Sequence, residues 1–129
     1  MATVKSGVIL NSNFADLKEI STDEIRKEIF DLLIENERVI AQYKTIRDQV
    51  VFTTKRIFVV NVQGITGKKV SYYSYPYSKV QYFGIQTAGL LDIDSELELA
   101  FSDGNVLSFD FKSRVDIRKL STIIAQYTL

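Results

Sequence analysis

The chain has 129 residues, of which 46% are hydrophobic and 25% charged, and its formal net charge at pH 7 is zero. These proportions are typical of one globular domain and exclude a disordered chain, and a neutral chain lacks the positive charge that a general nucleic-acid binder needs. The sequence contains neither Cys nor His, which excludes disulfides, thiol or imidazole catalysis and a zinc site with the usual ligands.

The first 34 residues contain one clear helix signal. Residues 1–20 show no sustained hydrophobic period, so we interpret them as an N-terminal arm whose structure stays open. No long apolar stretch follows Met1, and we therefore expect no integral membrane segment and a cytoplasmic location. Ser21 and Glu24 have the spacing of a capping box, and apolar residues then recur at helical spacing. This pattern predicts a helix over residues 22–34.

From residue 37 to residue 112 the hydrophobic period is two, and β-branched and aromatic residues dominate. Thr53–Arg56 interrupts an apolar run and predicts a tight turn, whereas Gln63–Gly67 supplies a loop with two glycines. Pro76 places its strand at an edge or at a strand end, and Asp103-Gly104 predicts a hairpin. We predict seven antiparallel strands, beginning at Val39, Val50, Ile57, Val70, Lys79, Glu96 and about Leu107.

The last predicted element is an amphipathic helix over residues 114–127. Ser113 can cap it, Asp116 lies in its first turn, and one face carries Ile117, Leu120, Ile124 and Tyr127. Seven antiparallel strands leave two exposed edges and two apolar openings unless the sheet curls and an end is plugged. We therefore predict a single mainly β domain in which residues 37–112 form a half-open barrel or orthogonal sandwich closed by this helix.

The tyrosine-rich stretch from Tyr72 to Phe83 has two possible roles. About half of these aromatic residues must fill the core, and the others could stack on bases or anchor a protein partner. Tyr73, Tyr75 and Tyr77 share one strand face and Tyr72 lies on the opposite one. The sequence leaves open which face is buried.

Several segments resemble the bacterial pleckstrin-homology-like (bacterial PH) domain family. Members carry a Phe-Thr-Asn-Lys-Arg segment similar to Phe52–Arg56, with Thr54 in place of the Asn here. The resemblance covers almost the whole chain and continues through Gln63–Lys69, Tyr75–Tyr77, Thr87–Gly89, Leu91–Leu97 and Val115–Ile117. It implies a single-domain member with a PH-like barrel of seven antiparallel strands closed by a C-terminal α-helix, and with an additional N-terminal helix.

The resemblance also implies a function. Similar single-domain members are building blocks of cyclic homo-oligomeric rings, pentameric by analogy, in which a hydrophilic surface spanning neighbouring subunits recruits other proteins. We therefore expect a non-enzymatic scaffold that binds itself and an unknown protein, without a cofactor. The candidate interaction surface comprises Lys55, Arg56, Lys68, Lys69, Tyr75, Asp92, Asp94 and Glu96.

The charge distribution is compatible with such assembly. Residues 37–89 carry eight basic and two acidic residues, whereas residues 90–112 carry six acidic residues and one basic residue. These charges either pair across neighbouring strands or join a basic patch on one subunit to an acidic patch on the next.

The alternative function is a peripheral adaptor that binds anionic lipid head groups or phosphoinositide-like ligands. Eukaryotic PH domains that bind inositol phosphates place basic residues in the first loop between strands, where they donate to phosphate oxygens. The corresponding loop here contains two cations, Lys44 and Arg47, and Asp48 lies beside Arg47. Because a polybasic cluster is missing, membrane contact is not the expected function.

Three further patterns are weaker. Gly64–Lys69 lacks the glycine spacing of a phosphate-binding loop, and the alternating acids Asp92, Asp94 and Glu96 lack the glycine and terminal Glu of a calcium loop. Glu96 and Glu98 would lie about 6.6 Å apart on one strand face, as a hydrolase carboxylate pair can, but solvated strands often show the same spacing. We predict no catalytic, cofactor or metal site.

Overall fold

A computed structural model describes residues 3–5, 8–10, 13–87, 95–112 and 117–129 of the chain. The chain folds as two compact units: unit 1 comprises residues 1–18 and 78–129, and unit 2 comprises residues 19–77. The prediction of a single domain over the whole chain stays a prediction.

Ten strands and two α-helices make up the described chain. In chain order the strands are β1 (Thr3–Lys5), β2 (Val8–Leu10), β3 (Asn13–Glu19), β4 (Val39–Lys44), β5 (Gln49–Thr53), β6 (Arg56–Gln63), β7 (Lys69–Pro76), β8 (Val80–Thr87), β9 (Ser95–Phe101) and β10 (Val106–Phe111). The helices are α1 (Lys27–Leu32) and α2 (Ile117–Thr128), and 3-10 turns span Thr22–Glu24 and Tyr77–Lys79. No helix in the described segments is long and apolar enough to cross a bilayer.

Unit 2 is an antiparallel meander in the order β4-β5-β6-β7. The first turn and α1 supply Ile25 and Ile29, which join Val51, Phe58 and Val60 in one buried apolar cluster. Full burial of a side chain of this size contributes about 1.5–3 kcal/mol, so this cluster is the main source of stability for the packing of α1.

The predicted helix over residues 22–34 is wrong as one continuous element. The Ser21 N–H donates to the Glu24 carboxylate at 3.1 Å, as the capping-box pattern predicts, but the chain becomes extended at Ile25 and Arg26. The Gln49 amide explains the break, because it donates to the Glu24 carbonyl at 2.8 Å and accepts from the Arg26 N–H at 3.1 Å. These two backbone groups are therefore satisfied by a side chain from β5 and not by a continuing helix.

Unit 1 contains the strand order β3-β10-β9-β8, the helix α2 and a separate two-stranded ribbon of β1 and β2. The Asp103-Gly104 hairpin joins β9 to β10, as predicted, and α2 packs against β8 and β9. The helix buries Ile117, Leu120 and Ile124, whereas Tyr127 on the predicted apolar face is 41% exposed. The predicted cap residues of this helix lie in 113–116, outside the described residues.

All seven predicted strands are confirmed as β4 to β10, but the strand count and the closure of the barrel are wrong. Apart from the β1–β2 ribbon, each unit has four strands, eight in all, and the strand that the prediction lacked is β3, which pairs in parallel with β10. Asp16 in β3 has a φ of 59°, and the pairing of β3 with β10 shifts by one residue there. Phe14 and Leu17 are therefore both buried although they are three residues apart, and the sequence of β3 does not show the period of two that indicates a strand. Among the described residues β8 pairs only with β9, and β7 pairs only with β6. Each of these strands therefore has one unpaired edge, and the strands do not close into a barrel.

Turn chemistry and strand ends follow the sequence closely. Gly64 and Gly67 have φ values of 84° and 68°, as two glycines in the predicted loop suggest, and Pro76 ends β7. Of the tyrosines whose burial the sequence left open, Tyr77 is only 1% exposed and its hydroxyl donates to the Thr53 carbonyl at 2.7 Å.

Candidate functional site

Arg56, predicted on the interaction surface, lies in a hydrogen-bonded network of unit 2. Its guanidinium donates to both oxygens of Glu37 at 2.9 Å, to the Leu32 carbonyl at 2.5 Å and to the Ser74 hydroxyl at 3.1 Å. It also lies 4.2 Å from the centre of the Phe58 ring. Arg56 thus joins β6 and β7 to the segment that follows α1, and its donors serve the fold.

The partner of Arg56 is a fully buried carboxylate. The side chain of Glu37 is 0% exposed, and besides Arg56 it accepts from the Thr53 hydroxyl at 2.6 Å and from the Ile34 N–H at 3.0 Å. Burial alone raises the pKa of Glu37, but the hydrogen bonds from Arg56, Thr53 and Ile34 outweigh burial and lower the pKa from its ordinary value. Glu37 is therefore held as a carboxylate that needs its cation.

The other basic residues of the predicted surface are exposed but do not converge. Lys55 lies in the turn between β5 and β6, Lys68 precedes β7, and Lys69 begins β7. Tyr75 lies six residues beyond Lys69 on β7, which corresponds to about 20 Å at about 3.3 Å per residue, and it is half-buried. Unit 2 therefore presents separate lysines and no single basic site.

The acidic part of the predicted surface is only partly described. Asp92 and Asp94 lie in residues 88–94, outside the described residues. Glu96 is the second residue of β9 in unit 1 and is half-buried. Glu96 also lines a pocket of unit 1.

The two cations of the alternative anion-binding loop are already used in unit 2. The Arg47 guanidinium donates to the Gly64 carbonyl at 2.6 Å, and Lys44 forms an ion pair with Glu24 at 3.5 Å. The Asp48 carboxylate accepts the Val62 N–H at 2.9 Å, so the acid in this loop also has a structural role. These contacts tie the loop to the neighbouring strands and offer no convergent set of phosphate donors.

A pocket of unit 1 lies where β8 ends and β9 begins. Its volume is about 320 Å³, and its polar lining includes Asp16, Gln86, Ser95, Glu96, Asp110 and Lys112. The strand register places Gln86, Glu96 and Asp110 in one cross-strand row and Thr87, Ser95 and Phe111 in the next. Adjacent rows point their side chains to opposite faces of the sheet, so Glu96 and Asp110 share one face, whereas the buried Ser95 and Phe111 side chains lie on the other.

A pair of carboxyl groups dominates the electrostatics of this pocket. Glu96 on β9 lies directly opposite Asp110 on β10. Burial, contact with Asp110 and the negative charges of Asp110 and Glu98 all raise the pKa of Glu96 above its ordinary value. The only ion pair found at this pocket in the described chain joins Lys112 to Asp16 at 3.3 Å.

The sequence predicted Glu96 but missed the residues around it. Asp110 could have been found, because a hairpin centred on Asp103-Gly104 sets it opposite Glu96. Asp16 gave no comparable signal, since β3 itself was not predicted. Within the described segments, no group of three or more acidic, His or Cys residues is arranged to hold a metal ion.

The fold defines a class of protein. A mainly β chain built from strand hairpins and ended by a C-terminal helix has a PH-like fold, and it is similar to solved PH domains. A family model for the bacterial PH domain matches residues 8–128. The chain therefore belongs to the bacterial PH domain family, which confirms the resemblance found in its sequence.

Individual relatives agree with this assignment. The uncharacterised protein YjqA of Bacillus subtilis is 39% identical over 108 residues, which cover 82% of this chain and 86% of the relative. A crystal structure of a protein with a pleckstrin-homology domain from Shewanella loihica has a TM-score of 0.74 and 37% identity, covering 89% of this chain and 99% of that one. A pleckstrin homology domain from Shewanella amazonensis has a TM-score of 0.58 and 41% identity, covering 79% of this chain and 83% of that one. Proteins of the PH-domain family are generally non-catalytic.

Proposed function

We propose that this protein is a cytoplasmic, non-enzymatic scaffold that assembles into a cyclic homo-oligomer, pentameric by analogy with similar single-domain members, and recruits another protein. One observation carries the self-association: the outer edge of β8. In the described chain β8 pairs with β9 on one side and with no strand on the other. Unpaired backbone N–H and C=O groups along such an edge can hydrogen-bond to a strand of a second chain.

The composition of β8 makes its edge unusually open to pairing. Its sequence, VQYFGIQT, contains no charged residue and no proline. Tyr82 is 57% exposed and Ile85 is 41% exposed, so apolar area accompanies the unpaired backbone. Proteins usually protect an edge with Lys, Pro or a bulge, and here the register shift between Val80 and Tyr82 affects only the start of the strand.

The edge strand of unit 2 differs. β7 begins with Lys69 and ends with Pro76, two residues that discourage strand pairing. Because the two edges are chemically unlike, the contact that closes a ring would join β8 to a different surface of the next subunit, as a heterologous interface requires. Complementary charge for that contact comes from the eight basic residues within 37–89 and the six acidic residues within 90–112.

The mass of the protein in solution tests this proposal. We expect light scattering and sedimentation equilibrium at about 100 μM to give a multiple of the 14.7 kDa chain mass. Tyr82→Lys should reduce that mass by placing a charge on the β8 edge, whereas Gln126→Lys, at an exposed position of α2, should leave it unchanged. A wild-type monomer at this concentration would contradict the proposal, as would equal effects of the two variants.

The alternative proposal, an adaptor for anionic head groups, has less support. Lys44 and Arg47 already contact Glu24 and the Gly64 carbonyl, so binding a phosphate would replace existing interactions. Sedimentation with anionic vesicles at physiological salt distinguishes the two functions. Pelleting that is lost in Arg47→Gln would favour the adaptor, and no pelleting would count against it.

A further inference from the structure

Two neighbouring turns of unit 2 carry fully exposed isoleucines at their tips. Ile46 lies in the turn between β4 and β5, and Ile65 lies in the turn between β6 and β7. Turns are usually built from Gly, Pro, Asn, Asp and Ser, and a fully exposed isoleucine adds nothing to the packing of unit 2. Single exposed apolar residues are common on protein surfaces, but two of them on connected turns form a patch that calls for an explanation.

Arg47 connects the two tips. Its guanidinium donates to the Gly64 carbonyl at 2.6 Å, so the residue after Ile46 contacts the residue before Ile65. Each turn is also closed by one backbone hydrogen bond, of 2.9 Å in the first turn and 3.2 Å in the second. The two isoleucines are therefore held in place before any partner arrives, and a surface ordered in advance loses little conformational entropy on binding.

The same end of unit 2 carries spread positive charge. Lys68 follows the second turn and Lys69 begins β7, and both side chains are exposed. The segments 45–48 and 64–69 contain a single acid, Asp48. This arrangement suits a partner that offers apolar area and several separate carboxylates. We call the following residues the loop-tip surface: Ile46, Arg47, Ile65, Lys68 and Lys69.

A surface of the opposite charge lies on unit 1, beside the unpaired edge of β8. Glu96 and Glu98 alternate with buried leucines along β9, so their side chains lie on the outer face of the sheet. The register places Asp110 beside Glu96 and Gly84 beside Glu98 on that face. Burial and the charges of Asp110 and Glu98 raise the pKa of Glu96, so cations brought to this face would relieve a repulsion.

The acid-bearing face of unit 1 also offers apolar area and a shallow notch. Tyr82 is on the same face of β8 as Gly84 and is 57% exposed. Gly84 has no side chain, and a Cβ added there would meet nothing within 4 Å. Open space therefore lies next to the Tyr82 ring. We call the following residues the acidic face: Tyr82, Gly84, Glu96, Glu98 and Asp110.

We propose that the loop-tip surface of one subunit binds the acidic face of the next subunit. The isoleucines pack on Tyr82 and in the notch at Gly84, and the cations face the carboxylates, which gives an apolar centre with a charged rim. The contact joins two different surfaces, as a ring requires. It rests on the proposed ring assembly and identifies the surface that meets β8. An anionic membrane suits the loop tips less well, because membrane recruitment takes about four to eight clustered cations.

Substitution of the two isoleucines tests the apolar part of the contact. Ile46→Ser combined with Ile65→Ser should raise the dissociation constant of the assembly at least about tenfold, measured by sedimentation equilibrium. Both positions are fully exposed and serine is common in turns, so the variant should remain folded. The matched control combines Ile34→Ser with Leu129→Ser, two exposed apolar positions elsewhere, and should stay within about threefold of the wild type.

Charge reversal tests the pairing of the two surfaces. Lys68→Glu with Lys69→Glu gives a chain with two acidic surfaces, and Glu96→Lys with Glu98→Lys gives a chain with two basic ones. Each variant alone should lose assembly mass, because like charges then face each other. An equimolar mixture should recover the mass, because every contact between unlike chains joins opposite charges again.

The outcomes separate this contact from the ring itself. A wild-type monomer at about 100 μM would refute the ring and, with it, this contact. A wild-type oligomer that is equally affected by the isoleucine pair and its control, or a mixture that stays dissociated, would refute the contact alone. So would an isoleucine variant that keeps its mass but no longer sediments with anionic vesicles, since the loop tips would then serve a membrane. If circular dichroism shows the charge variants to be unfolded, the isoleucine pair decides.

Discussion

Replacement of Arg56 by Met should destabilise unit 2 strongly. The substitution removes two hydrogen bonds to Glu37, one each to the Leu32 carbonyl and the Ser74 hydroxyl, and the stacking on Phe58. It leaves the Glu37 carboxylate, which is 0% exposed, without a countercharge. Loss of one partner from a buried ion pair costs about 3–5 kcal/mol, a large part of the roughly 5–15 kcal/mol that keeps a domain folded.

The assay is urea denaturation followed by far-UV circular dichroism at pH 7. Thr53 and Ile34 still donate to Glu37 in Arg56→Met, so we expect the free energy of unfolding to fall by about 3 kcal/mol, the lower end of this range. The matched control is Lys55→Met, which removes the exposed neighbouring cation and should change stability by less than about 0.5 kcal/mol. The double substitution Glu37→Met with Arg56→Met should be more stable than Arg56→Met alone, because no buried charge remains.

Acidification provides a second check on the same network. Because the folded protein holds the pKa of Glu37 below its ordinary value of 4.5, its stabilising contribution is present above that value and is lost as the pH falls through the folded pKa. Without Arg56, less opposes the effect of burial, so the pKa of Glu37 should be higher in Arg56→Met than in the wild type. The difference in stability between wild type and Arg56→Met should therefore shrink at low pH. A loss below about 1 kcal/mol at pH 7, or a difference independent of pH, would refute the role assigned to Arg56.

Two further predictions concern unit 1. Gly104→Ala should destabilise the protein by about 1–2 kcal/mol in urea denaturation, because φ is 91° at this hairpin position. The control is Gly84→Ala, whose added Cβ meets open space and whose stability should lie within about 0.5 kcal/mol of the wild type. Equal effects of the two substitutions would contradict this reasoning. The folded protein raises the pKa of Glu96, so the free energy of unfolding should fall as the pH rises through that pKa and Glu96 ionises. In unfolding curves recorded over a pH series, Glu96→Gln should make this fall smaller. An unchanged pH profile would contradict the burial and the Asp110 contact assigned to Glu96.

The sequence predicted the parts of the fold that local rules determine. β9 and β10 alternate cleanly about Asp103-Gly104, so both their strands and their register could be read directly. The segment near residue 25 could not, because its helix is interrupted by the amide of Gln49, which is distant in the sequence. β3 was missed for a related reason: Asp16 adopts a positive φ, and the apolar spacing then fits neither a regular strand nor a helix.

The same division applies to the candidate site. The pairing of Glu96 with Asp110 follows from hairpin register and was within reach of the sequence. The different roles of Lys55 and Arg56 were not, since adjacent cations in one turn look equivalent until Glu37 is seen to be buried beside one of them. The burial of Ser95 follows from its alternation with Leu97 and Leu99, but only the packing shows that its hydroxyl has no hydrogen-bond partner in the described chain.

The Phe52–Arg56 segment, which first revealed the family resemblance, is explained by the fold. The Thr53 hydroxyl accepts the N–H groups of Lys55 and Arg56 at 3.0 Å and donates to Glu37 at 2.6 Å. The Thr54 hydroxyl accepts the Arg38 N–H at 3.2 Å, and Phe52 is buried. Lys55 is the one exposed residue of this segment, whereas the others are buried or half-buried. The motif therefore specifies a turn and its buried ion pair. Similarity in this motif is therefore evidence for the shared fold, and the function has to be sought at other surfaces, such as the β8 edge.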